Sequence, residues 1–449
     1  MASPANRSSP LPFLADAERP ILWVRDRPVT VAEFSRNVAR VAAALPASGY
    51  LVNLCEHRDR FLTAYAAALA RGHTSLMPPS RAEEVIAEVE AGFPQSYRCD
   101  DGWIDRALGN SPCETLGPPH APDEQHIAQI AFTSGTTGAP RAHAKSWKQL
   151  MGSTRLNAAR IREGLEPRYG DARPSIVATV PAQHMYGTEL SVLLPLAADM
   201  GVHCGRPLFP AEVAAALAEV PAPRVLVTTP VHLRALAESS QRFPEIGLVV
   251  SATAPLDRTL AGAIERGLET TLLEMFGSTE TAVIATRLTA REEHWRLYPG
   301  VTLTPGSAST AADAPWFAAP TTLQDVIELV ASDRFVVRGR NVDMIEVAGK
   351  RASLSDLTRR ILGIPGVRDA VAFQTEGDAG RVKRVAALVV APQLTVEQIA
   401  AQLSRSIDPA FMPRPLVLVP ALPRNELGKL SREALLSLAA PHLERHHSN

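Results

Sequence analysis

A segment rich in glycine and hydroxyl side chains, residues 133–138, follows an apolar run at 127–132 that predicts a buried strand. Gly135 and Gly138 allow backbone conformations that other residues avoid, so the segment predicts a tight loop before a helix that begins near Ser146. Hydroxyl donors stand beside the main-chain amides at Thr133, Ser134, Thr136 and Thr137. Such a donor-rich concavity suits phosphate oxygens, and we call residues 133–138 the phosphate loop. Taken alone, the pattern equally fits a turn without a ligand. It is not a Walker-type P-loop, because no Gly-Lys-Ser/Thr follows at the required spacing.

Charged side chains also occur in three later stretches, which follow the phosphate loop along the chain. They are Glu274-Met275-Phe276-Gly277-Ser278-Thr279-Glu280, Asp325 with Arg338-Gly339-Arg340, and Pro423-Arg424-Asn425-Glu426-Leu427-Gly428-Lys429. Together with the phosphate loop, they resemble the ordered core motifs of the adenylate-forming (ANL) superfamily, which includes acyl- and aryl-CoA ligases, adenylation domains and firefly-luciferase-like enzymes. The resemblance extends from about residue 127 to residue 435, and four ordered motifs are much more specific than one.

The resemblance implies which residues hold ATP and Mg²⁺. Glu280 is implied for the metal, because a hard cation that bridges phosphates needs carboxylate oxygen. Asp325 corresponds to the ribose-binding carboxylate, whose oxygens can accept from two hydroxyls, and Arg340 to an arginine that also meets the ribose. Arg141 stands where many relatives have a lysine, and we interpret the nearby Lys145 as a packing residue at the helix start. The full ATP-binding set is Thr133, Ser134, Gly135, Thr136, Thr137, Gly138, Arg141, Thr279, Asp325 and Arg340.

Lys429 and Glu280 are the implied catalytic residues. A lysine after a glycine in a turn is usually solvated surface, and that interpretation would stand without the other motifs. With them, the ammonium of Lys429 is expected between the acid carboxylate and the α-phosphate, where it offsets the repulsion between two anions. The implied product is an acyl-adenylate, formed without a covalent enzyme intermediate.

The acid-binding pocket is implied to lie beside residues 181–187. Adenylation domains for amino acids usually place an aspartate there to meet the substrate ammonium, because a desolvated cation needs a counter-charge. This segment contains none, so we expect an acid without an α-amine. The implied lining residues are His184, Met185, Tyr186, Ala252, Thr253, Phe276 and Gly277.

A hinge is implied at Arg340, Val342 and Asp343, where a large domain (1–339) meets a small mobile domain (340–449) that carries Lys429. Valine is stiffer than the Asp or Lys that relatives have at position 342. After adenylation the small domain would swing, so that the segment around Gly349 lets a pantetheine thiol approach the adenylate. That thiol could belong to CoA or to phosphopantetheine on a holo-acyl carrier protein.

Apolar runs that alternate with helical patterns predict an α/β fold with mostly parallel sheets covered by helices, followed by a small α+β domain. Two segments, 99–125 and 295–322, are expected to be irregular connections because of their composition. Residues 325–330 and 334–338 predict a hairpin, and a helix is expected from near Ser431. The predicted strands of the large domain are 50–54, 175–180, 225–229, 248–252 and 271–275, and the predicted helices of the small domain are 354–362 and 396–407.

Composition limits the classes of partner. The 449-residue chain has a net charge of −1, so no overall field attracts nucleic acid or an anionic membrane. No apolar run approaches the length of a membrane span. The cysteines are scattered without metal-ligand spacing, which favours reduced thiols and a cytoplasmic location. They are Cys55, Cys99, Cys113 and Cys204.

A second, narrower similarity bears on the identity of the acid. The short chain and the sequence Pro140-Arg141-Ala142-His143-Ala144-Lys145-Ser146-Trp147 are similar to compact ligases of bacterial aryl-polyene pathways, which implies a hydroxybenzoate- or cinnamate-type acid. A fatty acid is the alternative substrate for CoA or carrier-protein ligation. A catalytically silent acyl- or nucleotide-binding scaffold is the alternative of another class, and its expected mark is the loss of Lys429 or Glu280, both of which are present.

Overall fold

The computed structural model describes residues 16–79, 81–110, 122–134, 140–306, 309–340, 344–347, 350–375, 385–407, 409–425, 428 and 430–445. The chain divides into two compact units, the first made of residues 1–252, 264–286 and 315–318, and the second of 253–263, 287–314 and 319–449. The second unit therefore takes in residues 253–263, 287–314 and 319–339, which were predicted to belong to the large domain. The boundary at residue 340 stays a prediction.

The elements up to residue 287 alternate between strands and helices. The strands are β1 (Pro20–Val24), β2 (Arg27–Thr30), β3 (Tyr50–Asn53), β4 (Thr74–Met77), β5 (Ser96–Cys99), β6 (Ile127–Ser134), β7 (Pro140–Ser146), β8 (Ser175–Ala178), β9 (Gly201–His203), β10 (Arg224–Thr228), β11 (Leu248–Ser251), β12 (Thr271–Ser278) and β13 (Ala282–Arg287). The helices are α1 (Val31–Ala44), α2 (Arg58–Ala70), α3 (Glu83–Ala91), α4 (Asp101–Asn110), α5 (Trp147–Tyr169), α6 (Met185–Thr188), α7 (Leu194–Ala197), α8 (Pro210–Ala218), α9 (Pro230–Glu238) and α10 (Arg258–Leu268), with a π-helical turn (Glu189–Leu193) between α6 and α7.

The later elements are mostly short strands. They are β14 (Trp295–Leu297), β15 (Thr302–Pro305), β16 (Thr310–Asp313), β17 (Thr321–Leu323), β18 (Asp325–Ala331), β19 (Arg334–Arg340), β20 (Met344–Val347), β21 (Lys350–Ser353), β22 (Asp369–Gln374), β23 (Val385–Val390) and β24 (Leu416–Leu418). The helices are α11 (Leu354–Leu362), α12 (Val396–Leu403) and α13 (Arg432–Arg445), with a 3₁₀ turn at Pro409–Phe411.

Two sheets organise the first unit. The first-unit strands of the larger sheet run in the order β13-β12-β11-β10-β8-β9-β1-β2, and those from β12 to β1 are parallel neighbours. The smaller runs β5-β3-β4-β6-β7 and is parallel except for the β6–β7 pair. Strands β8 and β11 are buried at every position, as expected for parallel strands covered on both faces. The predicted α/β fold with mostly parallel sheets is confirmed.

Helix α4 corrects the prediction of an irregular connection over residues 99–125. The carboxylate of Asp100 accepts a hydrogen bond from the N–H of Trp103 at 2.7 Å, which caps the helix, and Ile104 and Ala107 bury one face of it. The prediction was wrong because Asp and Gly were taken as loop residues, whereas Asp also begins helices. Residues 111–121 of that segment lie outside the described residues.

The segment after the phosphate loop is a strand, which corrects the expected loop leading directly into a helix. In the β6–β7 hairpin, Thr133 lies opposite Arg141 and Ala131 opposite His143. Helix α5 then begins as predicted, with the hydroxyl of Ser146 accepting from the N–H of Gln149 at 3.3 Å. The hairpin was missed because small and polar residues hide its alternation.

The second unit is largely antiparallel. Strands β15, β16 and β17 form a three-stranded sheet in place of the irregular connection predicted over 295–322, because alternate residues such as Thr310 and Ala312 are buried. The predicted hairpin is confirmed as β18 and β19. The sheet β22-β23-β24 buries different residues on its two faces, including Val389 with Ile361 on one and Leu388 with Ala439 on the other. No helix among the described residues is both long and apolar enough to cross a membrane.

Candidate active site

Three segments expected to contact substrates leave the carboxyl ends of strands in the larger parallel sheet. The segment with His184 follows β8, Ala252 follows β11, and residues 276–280 end β12. Strands β11 and β12 are neighbours, with Ser251 opposite Glu274, and β10 lies between β11 and β8. Ligands of open α/β sheets bind outside the carboxyl ends of the strands. The fold therefore gathers these residues at the edge where such ligands bind.

His143 joins the first residue of the phosphate loop to Glu280. Its Nε2 lies 3.0 Å from Oγ1 of Thr133 across the hairpin and 3.6 Å from Oε1 of Glu280. Burial lowers the pKa of His143, and the opposing effect of the Glu280 carboxylate is smaller. The strand that leads into the phosphate loop and the carboxylate expected to hold a metal thus meet at one side chain.

Lys145 lies two residues further along the same face of β7 and also reaches Glu280. Its ammonium donates a hydrogen bond to the main-chain oxygen of Glu280, and the residue is only 4% exposed. Burial lowers the pKa of Lys145 to about 8, against the attraction of the Glu189 and Glu280 carboxylates. The interpretation of Lys145 as a packing residue at a helix start missed this contact, because the residue belongs to a strand.

The Glu280 turn (residues 278–281) connects β12 to β13. The N–H of Ser278 donates to Oγ1 of Thr281 at 3.2 Å, and the N–H of Thr281 donates to Oγ of Ser278 at 3.3 Å. Gly277 precedes the turn where backbone approaches backbone, since a Cβ there would lie 2.1 Å from the carbonyl oxygen of Ala282. Sequence-distant contacts and reciprocal hydroxyl bonds therefore hold the turn that presents Glu280.

The charge and exposure of Glu280 fit a magnesium ligand. Burial raises its pKa, but the Ser278 hydroxyl, a main-chain N–H and the charges of His143 and Lys145 together bring it below the ordinary value. The side chain is 33% exposed, so an anionic carboxylate can be reached from outside. Among the described residues, no group of three or more His, Cys, Asp or Glu side chains could hold a metal by itself. Mg²⁺ in nucleotide enzymes takes one or two carboxylates with phosphates and water, so Glu280 with a bound nucleotide is a suitable set.

Glu189 is a buried carboxylate that the sequence analysis missed. It is 1% exposed at the start of the π-helical turn, and its Oε1 accepts from the Ser153 hydroxyl, from the Asn157 amide at 3.1 Å and from the N–H of Val283 at 3.3 Å. Burial raises the pKa of Glu189, against these donors and the charge of Lys145. A single acidic residue that begins an apolar run was the signal in the sequence that could have indicated it.

The predicted acid-binding residues that follow β8 differ in their hydrogen bonds and in their burial. The sulfur of Met185 accepts from the Gln129 amide at 3.3 Å, and the Tyr186 hydroxyl donates to the carbonyl oxygen of Val250 at 3.1 Å. Both side chains are buried, at 6% and 5% exposure, so they form the interior side of the segment. His184 is only half-buried, which leaves part of its surface for a ligand.

The remaining predicted lining residues follow β11 and end β12. Ala252 is buried, Phe276 is half-buried and Gly277 is exposed. Thr253 has a φ of 82°, a conformation that side chains other than glycine rarely adopt. Backbone geometry at this position therefore favours glycine, although the residue here is threonine.

Asp325 and Arg340, the residues expected to meet the ribose, are direct cross-strand partners in the β18–β19 hairpin of the second unit. Asp325 is 7% exposed, and its carbonyl oxygen accepts from the hydroxyl of Thr310 at 2.9 Å. Two residues that are fifteen positions apart in sequence are thus brought together by a hairpin that the sequence predicted.

The remaining predicted site residues fall partly within and partly outside the described residues. Arg141 is exposed on β7, and Thr279 is half-buried in the Glu280 turn. The side chains of Ser134 and Arg340 lie outside the description. The residues outside it altogether are Gly135, Thr136, Thr137, Gly138, Val342, Asp343, Gly349 and Lys429.

Comparison with known proteins agrees with the motif order. A family model described as AMP-binding enzyme matches residues 79–309. Two proteins named 4-coumarate–CoA ligase, from Halorhodospira halophila and Rhodobacter capsulatus, are each 30% identical to this chain, covering 74% and 73% of it and 82% and 79% of their own lengths. The crystal structure of ATP-bound MatB from Rhodopseudomonas palustris shares the fold, with a TM-score of 0.78 and 17% identity over 96% of this chain and 99% of that one. The chain belongs to the AMP-binding enzyme family within the adenylate-forming superfamily, and is an AMP-forming ligase that uses ATP to join a carboxylic acid to CoA.

Proposed function

We propose that the acid is aromatic, of the hydroxybenzoate or cinnamate type. Support comes from the relatives named 4-coumarate–CoA ligase, since 4-coumarate is a hydroxycinnamate. The half-buried rings of His184 and Phe276 offer faces on which a flat aromatic acid can stack. The absence of aspartate from residues 181–187 supports an acid without an α-amine.

The observation that carries the proposed site is the convergence at Glu280. His143 faces its carboxylate and Thr133, while Lys145 holds its main chain. We assign the phosphate loop and Glu280 to the pyrophosphate portion of ATP, with Thr279 and Arg141 beside them. Mg²⁺ bound at Glu280 would offset the negative charge of the phosphates. The acid carboxylate oxygen forms a bond to the α-phosphorus, and the bond to pyrophosphate breaks, so charge stabilisation and alignment are the main requirements.

We assign the ribose and the reacting carboxylate to residues of the second unit. Asp325 and Arg340 hold the ribose, and the Lys429 ammonium offsets the charge that gathers between the carboxylate and the α-phosphate. In the second half-reaction the pantetheine sulfur forms a bond to the acyl carbon, and AMP leaves with the electron pair of the anhydride bond. Movement at Arg340, Val342 and Asp343 exchanges Lys429 for the segment at Gly349 between these half-reactions.

The test of the substrate class is exchange of labelled pyrophosphate into ATP with a panel of benzoates, hydroxybenzoates, cinnamates and fatty acids. We expect exchange with hydroxybenzoates or cinnamates at least about 10-fold above fatty acids, since the ring faces of His184 and Phe276 would favour a flat acid over a flexible chain. Preference for a fatty acid contradicts the aromatic assignment. Thioester formation is then measured with CoA and with holo-acyl carrier protein, because the acceptor thiol on a carrier protein is part of the proposal.

Lys429→Ala tests the assigned catalytic residue. Exchange should fall by about 10²-fold or more, because the charge aimed at the transition state is lost while the fold remains. Thioester formation from added acyl-adenylate and CoA should persist, since that step does not use Lys429. Unchanged exchange in this variant contradicts the assignment.

We also propose a cytoplasmic location. Cys55, Cys99 and Cys204 are free and buried thiols, and burial raises the pKa of each. Free thiols in a long chain are typical of reducing compartments.

A further inference from the structure

Arg424 donates several hydrogen bonds, one of them to Gly428, the residue that precedes the proposed catalytic lysine in sequence. Its Nε lies 2.7 Å from Oδ2 of Asp369, and its Nη2 lies 2.9 Å from Oδ1, a bidentate pairing. The same Nη2 donates to the carbonyl oxygen of Ala370 at 3.1 Å. The Nη1 donates to the carbonyl oxygen of Gly428 at 3.0 Å. One guanidinium therefore links the start of β22 to the peptide group that joins Gly428 to Lys429.

Asp369, the partner of this arginine, is held by its own backbone pairing and by a hydrogen bond to its carboxylate. It is the first residue of β22, paired with Val390 on β23, and its Oδ1 also accepts from the N–H of Ala370 at 2.8 Å. The side chains of Asp369 and Arg424 are 19% and 21% exposed, so the pair is largely shielded from water. A shielded bidentate pair holds its geometry better than an exposed ion pair does. An exposed ion pair contributes little to stability.

Both covalent neighbours of Lys429 are held. The N–H of Gly428 donates to the carbonyl oxygen of Asn425 at 2.8 Å, and Gly428 has a φ of 74°, which favours glycine. Leu430 forms a β-bridge with Arg424 and packs against the cluster that contains Leu388. Lys429 is joined to these two residues by peptide bonds.

We propose that Arg424 and Asp369 are positioning residues for adenylation: they hold the Gly428 peptide group so that the Lys429 ammonium is delivered at the correct point. The inference rests on the proposed role of Lys429. Displacement of a catalytic group by about 1 Å can cost about 100-fold in rate, so the pair controls the rate of acyl-adenylate formation. It does not touch the reacting atoms.

The two half-reactions distinguish a pair that only stabilises the fold from a pair that positions Lys429. If the pair only stabilised the fold, its loss would affect adenylation and thioester formation alike. A positioning role affects adenylation selectively, because Lys429 acts only in that step. Lysine cannot replace Arg424, since a single ammonium cannot bond both carboxylate oxygens and two carbonyl groups in one plane.

The experiment compares Arg424→Lys and Asp369→Asn with the wild-type full-length chain, using the acid that gives the strongest exchange. Pyrophosphate exchange should fall about 10- to 100-fold in both variants, with thioester formation from added acyl-adenylate and CoA within about 2-fold of wild type. Arg359→Met is the matched control, because it breaks an exposed ion pair with Asp356 in the same unit and should leave both half-reactions unchanged.

Three results would overturn the inference. Unchanged exchange in both variants removes it, as does an equal loss of both half-reactions, which marks a merely structural pair. A loss of exchange in Arg359→Met as large as that in Arg424→Lys also removes it. Lys429→Ala is measured in parallel: if that variant keeps full exchange, the proposed function of Lys429 fails, whereas a loss in Lys429→Ala without a loss in Arg424→Lys and Asp369→Asn defeats only the positioning role.

Discussion

Lys145 carries a charge in a place where water cannot solvate it. Burial lowers its pKa from 10.5 to about 8, so across that window the unfolded chain binds a proton that the folded chain has released. Through this group unfolding takes up a proton, so the contribution of Lys145 to the free energy of unfolding rises with pH between about 8 and 10.5. Lys145→Met removes this linkage. The stability of the wild-type chain relative to the variant should thus rise over this window, by at most about 3 kcal/mol.

Urea denaturation of both proteins at about pH 7.5 and about pH 10 measures this difference. Lys148→Met is the control, because Lys148 is exposed on helix α5 and its substitution removes a lysine without removing a buried ammonium. A pH-independent difference between the wild type and Lys145→Met would contradict the burial of the Lys145 ammonium.

Site residues could be predicted where the surrounding sequence forms a motif. They could not be predicted where they act through contacts with residues far away in the sequence. Glu280 stood out because glycine and hydroxyl residues surround it in a motif. Lys145 and Glu280 are 135 positions apart, so local spacing contains no information on their contact. The same holds for Glu189, whose partners come from α5 and β13.

At the scale of elements, the Glu280 turn depends on how closely β12 approaches β13. In Gly277→Ala the new Cβ would meet three backbone atoms, the nearest 2.1 Å away, and backbone cannot yield cheaply. We expect the variant to lose about 1–3 kcal/mol of stability through overpacking and to bind MgATP at least about 10-fold more weakly, because Glu280 is displaced. Calorimetric titration with MgATP and a denaturation curve measure the two effects.

Gly267→Ala is the matched substitution. Gly267 lies within α10, and a Cβ there would meet nothing within 4 Å. Alanine in a helix is favoured over glycine by roughly 0.5–1 kcal/mol, so this variant should gain stability and keep its affinity for MgATP. Equal behaviour of the two alanine variants would show that the close approach at Gly277 does not hold the Glu280 turn.

The elements that the sequence predicted correctly are those with a strong pattern. Continuous apolar runs indicated β8, β10 and β11, and amphipathic spacing indicated α11 over its full length. Composition misled at 99–125, where Asp and Gly belong to a capped helix, and at 295–322, where alternation among Pro, Ala and Thr is too weak to mark strands. Strand β7 was missed although its partner β6 is adjacent in sequence, because small and polar residues hide the alternation of the hairpin.

At the scale of the whole molecule, the proposed hinge separates two chemical steps in one chain. The elements after residue 344 surround two hydrophobic clusters on the faces of β22 and β23, which supports a small domain able to move as one body. The first step then needs Lys429, and the second needs Gly349. Substitutions at these two positions should therefore impair opposite half-reactions.

Gly349→Ala provides the test of the second step. A methyl group where a pantetheine arm must pass close to the backbone should slow thioester formation from acyl-adenylate and CoA by about 10-fold or more, while pyrophosphate exchange stays near wild type. Gly363→Ala is the control in the same domain, because a Cβ there makes only ordinary contacts, the nearest at 3.5 Å from the Arg360 carbonyl oxygen. It should alter neither step. If Gly349→Ala slows exchange as much as thioester formation, the two steps share one arrangement of the domains and the proposed movement about Arg340, Val342 and Asp343 is wrong.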